Sequence, residues 1–371
     1  MEKPIRILHI VPNMDAGGIE TLIMNLYRNI DKNEFQFDFL MHYQGHFFYD
    51  DEIKKLGGRI YNLSFRNDNN IIKYLYELND FFKKHDEYEI VHDHMVSTGA
   101  ICLYYAKKNN VPIRIIHSHN TNTTPDLKGK VKKVLAGLSP KYANVYFACG
   151  KKAGQALYGE KGFYTIHNGI DTNKFKFNKR WRKEIRDELN IDDDTIVFGH
   201  VGRFNAQKNH TFLLSVFKSI VLKNKNSKFL LIGDGELKEK ILSLAVQLKL
   251  TDHLIYLGIR RDVYKIYQAM DIFILPSLFE GFPVVATECQ AAGLPMLVAD
   301  TVSSEIKITP LVKFLSLDDS TMLWADTAID MAKKERHDTS SIVRAAGFDI
   351  KDEAVRLQNM YNELLKNKII K

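Results

Sequence analysis

Cysteine is scarce in this sequence: Cys102, Cys149 and Cys289 are the three in 371 residues, and no two of them form a C-x-x-C pair. A disulfide framework is thereby excluded, and a reducing compartment is expected. No run of 18 apolar residues occurs, which argues against a membrane-spanning helix. Met1-Glu2-Lys3-Pro4 leads straight into an apolar strand, so no secretory leader is expected. The first strand is not followed by G-x-G-x-x-G, which removes the dinucleotide fingerprint. Zinc-finger spacing, a recognition-helix pattern and interleaved aromatic and basic residues are missing too, so nucleic acid is not an expected partner. No internal repeat of about 20 to 50 residues is visible, which leaves out solenoids.

What is present is ordinary in amount and uneven in placement. Apolar residues make up 45% and charged residues 26%, the proportions of a globular protein, and the length predicts two domains. The net charge of +7 is concentrated: residues 107–161 hold eleven Lys and Arg against Asp126 and Glu160. Lys128-Gly-Lys-Val-Lys-Lys could face an anionic surface, or could be the solvated face of a helix.

Strand and helix patterns alternate along the chain. Arg6 to Pro12 is apolar on both faces, as in a buried parallel strand. Gly17-Gly18-Ile19-Glu20 follows, ahead of a helical pattern, and paired glycines there let backbone approach a ligand. Further strands are predicted at 35–42, 59–63, 89–94, 113–120, 145–149 and 163–166, with helices between them. His92, His94, His117 and His119 lie at strand ends, and each pair shares one face of its strand. No carboxylate or cysteine completes an evident metal shell around them, so hydrogen-bonded structural roles compete with function. His167-Asn168-Gly169-Ile170-Asp171 carries a turn signal, and the domain boundary is placed there. A strand at 196–201 restarts the pattern. It is followed by Gly202-Arg203 and Lys208-Asn209, a guanidinium fork and an ammonium five residues apart that can hold a diphosphate.

Phe273 to Asp300 concentrates the most chemistry. It reads as strand, loop, helix and strand, with Pro283 suited to the first helical turn and Gly293 to its end. Backbone N–H groups at such a helix start favour phosphate. Glu280 and Glu288 would repel an anion, so they suit neutral hydroxyls instead, and a nucleotide sugar offers both kinds of group. Solvated carboxylates on an ordinary β-α-β unit are the competing reading.

Taken in order, Gly17-Gly18-Ile19-Glu20, Asn168-Gly169-Ile170-Asp171, Gly202-Arg203 with Lys208-Asn209, and Glu280-x7-Glu288 resemble the retaining glycosyltransferases of family 4. The resemblance covers nearly the whole chain, and His117-Ser118-His119-Asn120 is similar to enzymes of bacterial capsular polysaccharide and exopolysaccharide synthesis. It implies the α/β GT-B fold, two Rossmann-like doubly wound domains facing across a cleft. Residues 1–168 would bind the acceptor, with helix 351–371 packing back on them, and 169–350 would bind the nucleotide sugar. The implied roles are phosphate contacts from Arg203, Lys208, Gly17, Gly18 and the amides of Val284 and Val285. Glu280, Gly281, Phe282 and Pro283 would meet the donor sugar, and Glu288 the ribose. Gly258, Ile259 and Arg260 would line the base pocket. Glu280 and His119, or His117 in its place, would act catalytically.

The expected reaction moves a hexose or N-acetylhexosamine from a UDP-sugar to a glycan or lipid-linked acceptor, without a metal or other cofactor. The expected location is cytoplasmic, peripheral at the membrane's inner face. A nucleotide-sugar 2-epimerase and a non-catalytic partner subunit are the alternatives. Two departures from the family pattern stand out. Pro283 replaces a common glycine and has no N–H to offer, and 303–317 lacks a glycine-rich signature.

Overall fold

A computed structural model describes residues 3–63, 70–119 and 127–369, with the backbone alone at 127–133 and 368–369. The chain divides into two compact units, residues 1–168 with 350–371, and 169–349. Each is a parallel sheet with helical connections, the arrangement alternating strands and helices require.

In the first unit the strands are β1 (Ile5–Val11), β2 (Phe35–Met41), β3 (Ile60–Asn62), β4 (Ile90–Asp93), β5 (Ile113–Ser118), β6 (Val145–Ala148) and β7 (Tyr164–Thr165). They lie in the order β3-β2-β1-β4-β5-β6-β7. Phe35 to Met41 is buried at every position although Gln36 and Asp38 alternate with its phenylalanines; Asp38 is paired with Arg6, and Gln36 accepts from the Tyr27 hydroxyl. Helix Gly18–Asn29 buries Leu22, Ile23, Leu26 and Tyr27 on the sheet. Helix Ile350–Ile369, far away in sequence, adds Ile350, Ala354, Leu357 and Tyr361 to the same core. That core would be open along one side without it.

The second unit contains β8 (Ile196–Val201), β9 (Ser227–Ile232), β10 (Leu254–Gly258), β11 (Ile272–Leu275), β12 (Met296–Ala299) and β13 (Val312–Leu315), ordered β10-β9-β8-β11-β12-β13. Two of its helices, Lys179–Glu188 and Thr321–Ala332, start where the sequence offers side-chain caps. Asn178 accepts from the Trp181 amide at 3.1 Å, and Ser320 from the Leu323 amide at 3.2 Å. Arg186, buried beneath the sheet's amino-terminal edge, is neutralised by Asp271 at 2.8 Å.

Strand order reverses between β1 and β4 in one unit and between β8 and β11 in the other. Connections on either side of such a point run to opposite faces, so the carboxyl ends of these strands are left uncovered for a ligand. Among the described residues no helix is long and apolar enough to cross a membrane.

Candidate functional site

In the second unit the reversal point carries charge. After β8, Asn205 accepts from the Lys208 amide at 3.2 Å and starts one 3-10 turn, Ala206–Lys208. Asn209 then takes a left-handed conformation, φ 54°, and turns the chain into helix His210–Lys223. The loop is held from behind by Gly233-Asp234-Gly235. A Cβ on Gly233 would come within 2.0 Å of the Gly202 carbonyl oxygen, and one on Gly235 within 2.6 Å of that of Phe204. Both glycines also have positive φ, so larger residues would push the loop away.

That support aims Lys208 at Glu280. Lys208 Nζ lies 2.6 Å from Glu280 Oε1, with only 13% and 8% of the two side chains exposed. Gln207 Nε2 donates to Glu280 Oε2 at 3.1 Å and to the Phe279 carbonyl at 2.9 Å. The Leu278 amide donates back to the Gln207 carbonyl at 2.8 Å, so the loops after β8 and β11 are stitched together. On the other side, Glu280 pairs by a parallel bridge with Val302. The segment at 303–317, short of glycine, is thus preceded by residues strapped to the glutamate loop. Arg203 is largely exposed, and its Nε stands 3.5 Å from the Glu236 carboxylate.

Helix Val284–Ala291 begins one residue later than expected: Pro283 is its N-cap, with φ −68° and ψ 128°, rather than a residue of its first turn. Its extended ψ puts it outside the helix, while the φ is that of any proline. The first free amides are therefore those of Val284 and Val285. Phe282 is buried and its ring stacks on Phe348 at 5.0 Å, so its side chain serves packing, and what it offers a ligand is backbone. Glu288, one turn into the helix, accepts from the Tyr267 hydroxyl at 2.8 Å. Burial raises its carboxyl from 4.5 to about 7, against the opposing effects of Tyr267 and Lys174.

The expected base pocket is less formed. Gly258 ends β10 and Ile259 is exposed, but the Arg260 guanidinium is held by both oxygens of Asp262, each at 2.8 Å. A cavity of about 380 Å³ does exist in this unit, lined by Phe177, Arg182, Arg186, Asp271 and Arg336 among others. It lies at the amino-terminal edge of the sheet and includes none of the residues expected to bind the donor.

In the first unit the reversal point holds neutral rings. His92 and His94 from β4 and its end, and His117 and His119 from β5 and its end, are joined by His9 of β1, in register with His92. All five are at least nine-tenths buried. Burial lowers every one of them, His119 and His9 to about 3, so they are uncharged near neutral pH. Of the two candidate catalysts His119 is the more exposed, 9% against 1% for His117. Gly17 caps helix Gly18–Asn29, and a Cβ on Gly18 would meet nothing within 4 Å. Open space, not internal crowding, surrounds that glycine.

Sequence reasoning missed Gln207, Tyr267, His9 and Tyr361. His9 left a trace, a polar residue within the apolar run Ile7 to Val11, on the same face as the buried Ile7 and Val11. Tyr361 left none, since its partner His92 is 269 residues away. Asn120, beside His119, and the side chains of Lys128, Lys130, Lys132 and Lys133 lie outside the described residues. Within the basic segment, Arg114 is turned inward onto the carbonyls of Val111, Pro112 and Tyr142, which removes it from any surface patch.

Comparison with known proteins bears on both units. The family model described as Glycosyltransferase Family 4 matches residues 16–174, and that described as Glycosyl transferases group 1 matches 182–309. The chain is 33% identical to EpsF of Bacillus subtilis, itself assigned by name to the glycosyltransferases, over 96% of each chain. It is 31% identical over 62% of its length to an Escherichia coli UDP-Gal:alpha-D-GlcNAc-diphosphoundecaprenol alpha-1,3-galactosyltransferase, 63% of which is covered. Among solved structures, Anabaena HepE in complex with UDP-glucose superposes with a TM-score of 0.78 at 18% identity, over 96% of this chain and 99% of that one. WaaG, a glycosyltransferase of lipopolysaccharide biosynthesis, gives 0.70 at 14% identity over 98% and 99%.

Proposed function

Because the chain belongs to glycosyltransferase family 4, the glycosyl transferases group 1, and is a glycosyltransferase of GT-B fold, we propose that it transfers a hexose or N-acetylhexosamine from a UDP-sugar, with retention, in surface-polysaccharide synthesis. The observation that carries this reading is the nearly buried Lys208–Glu280 pair at the strand-order reversal of the second unit. An arriving diphosphate gives Lys208 a better partner, with Arg203 and the amides of Val284 and Val285 beside it. Glu280, released but still held by Gln207, then accepts from hydroxyls of the donor sugar. Glu288, anchored by Tyr267, faces the ribose.

Charge explains the chemistry. As the glycosidic bond breaks, the leaving nucleoside diphosphate gains negative charge while the sugar becomes oxocarbenium-like. Lys208 and Arg203 stabilise that charge without a metal. The leaving phosphate takes the acceptor's proton as the acceptor attacks the same face. The first unit's share, acceptor binding with His119 and the Gly17-Gly18 backbone, rests on the family resemblance. The name of the Escherichia coli relative supports a lipid-linked acceptor. Peripheral attachment through the remaining lysines of 107–161 follows from that, and sedimentation with anionic vesicles tests it. Absence of binding at low salt rejects it. The relatives' names do not favour the epimerase alternative.

The decisive experiment is a thermal-shift panel of UDP-, GDP- and ADP-sugars. Selective stabilisation by a UDP-sugar is expected, since a ligand that binds only the folded state raises its melting temperature. Stabilisation by GDP- or ADP-sugars alone would reject the donor assignment.

A further inference from the structure

The five imidazoles of the first unit are joined in two hydrogen-bonded chains. His9 Nδ1 meets His94 Nε2 at 3.0 Å, and His94 Nδ1 meets His119 Nε2 at 2.9 Å. The Tyr361 hydroxyl meets His92 Nδ1 at 2.9 Å, and His92 Nε2 meets His117 Nδ1 at 3.2 Å. Each chain ends on a buried nitrogen without a partner, His9 Nε2 and His117 Nε2. A neutral imidazole has one N–H and one lone pair, so each chain runs in one direction. If His117 donates from Nδ1 to His92, and His92 in turn to the Tyr361 oxygen, then His117 Nε2 is a bare lone pair. If His94 donates from Nε2 to His9, its Nδ1 is a second lone pair. In that direction His119 Nε2 donates to His94 Nδ1, so an ion would replace this hydrogen bond: with its proton shifted to Nδ1, His119 offers Nε2 as a third lone pair.

We infer that His94, His117 and His119 form a binding site for one divalent ion of the zinc type, with a fourth coordination position left for water or an anion. One nitrogen from each of the three lies within 4.8 Å of the others. Three imidazoles on zinc at about 2.0–2.1 Å are about 3.3 Å apart in tetrahedral geometry, so modest side-chain rotation brings them together. The remaining residues already supply the outer contacts such ligands need. His9 receives the His94 proton, and His92, backed by Tyr361, receives that of His117. Neutral imidazoles require no proton release before binding, and His119, the least buried of the three, marks the way in.

The site belongs wholly to the first unit and does not depend on the nucleotide-sugar reading, whose diphosphate contacts are all in the second or from the Gly17-Gly18 backbone. An ion here would occupy the His119 lone pair, so in that reading it inhibits transfer.

The test is a Co(II) titration of the full chain after chelator treatment. One equivalent should bind with the intense visible absorption of a four-coordinate site, and the melting temperature should rise. His117→Ala and His119→Gln should each weaken binding at least about tenfold, whereas His46→Ala, at an exposed histidine outside the cluster, should not. Should His117→Ala fail to fold, the edge variant His119→Gln decides. Absence of uptake by the folded wild-type chain would overturn the inference. So would wild-type affinity in both cluster variants, or the weak spectrum of a six-coordinate ion.

Discussion

The two units share an architecture yet fill the same topological position with opposite chemistry. At the reversal point of the first, five uncharged imidazoles pass hydrogen bonds among themselves. At that of the second, an ammonium and a carboxylate neutralise each other within 2.6 Å. Parallel sheets leave a crevice wherever strand order reverses, whatever side chains line it. The lining then decides what can enter. A charge pair held in a half-dry loop can be exchanged for a charged ligand, while neutral nitrogens offer lone pairs and little attraction for a diphosphate.

Four substitutions sharpen this contrast. Glu280→Ala should lower kcat about 100-fold or more, because stabilisation acting in the transition state is lost, with donor Kd altered much less. A kcat within a fewfold of wild type would remove Glu280 from the reaction. Lys208→Ala should weaken donor binding about 10- to 100-fold, the worth of a charge-assisted hydrogen bond, as read by calorimetry with the nucleotide. Unchanged affinity there would return the ion pair to a structural role.

Glu288 adds a pH dependence of smaller size. Its folded-state carboxyl is raised from 4.5 to about 7, so the folded protein keeps that proton until neutral pH. Stability from this group is therefore fully present below about 4.5 and is lost as pH rises from there through about 7, above which the cost of burying the charge is fully felt. Donor affinity should run the other way, strengthening up to about tenfold from pH 6 to 8 as the ribose acceptor ionises. Glu288→Gln should flatten the affinity profile, and a slope surviving in that variant assigns it to another group.

The smallest effect is expected in the first unit. Tyr361→Phe leaves His92 Nδ1 without its partner and should cost about 1–3 kcal/mol of stability, seen in chemical denaturation. Donor binding should stay as in wild type. A loss of donor affinity would erase the division of labour between the units.

Much of the fold was legible because its signals are local. Runs such as Ile272 to Leu275 and Met296 to Ala299 are apolar throughout, and caps such as Asn178 lie within three residues of what they bond. Glu280, Glu288, Arg203 and Lys208 were legible as candidates because loop chemistry follows each strand in order. Their partners were not: of these residues the structure pairs Lys208 with Glu280, while Arg203 stands by Glu236 and Glu288 by Tyr267. Gln207 reads as one more polar loop residue until β8 and β11 are adjacent. Pro283 reads equally well as cap or first turn, since its own φ is the same in both.

By itself the sequence determined the alternation of elements, the two-domain division and the residue types offered at each strand end, since hydrophobic period and turn chemistry act over a few residues. Only the tertiary structure decided which of those residues meet. It joined Lys208 to Glu280 across 72 positions, Tyr361 to His92 across 269, and His9 to the four histidines already noticed. The reason is that strand order is a non-local choice. β1 lies beside β4 and β8 beside β11, and the chemistry of each unit gathers where those neighbours end.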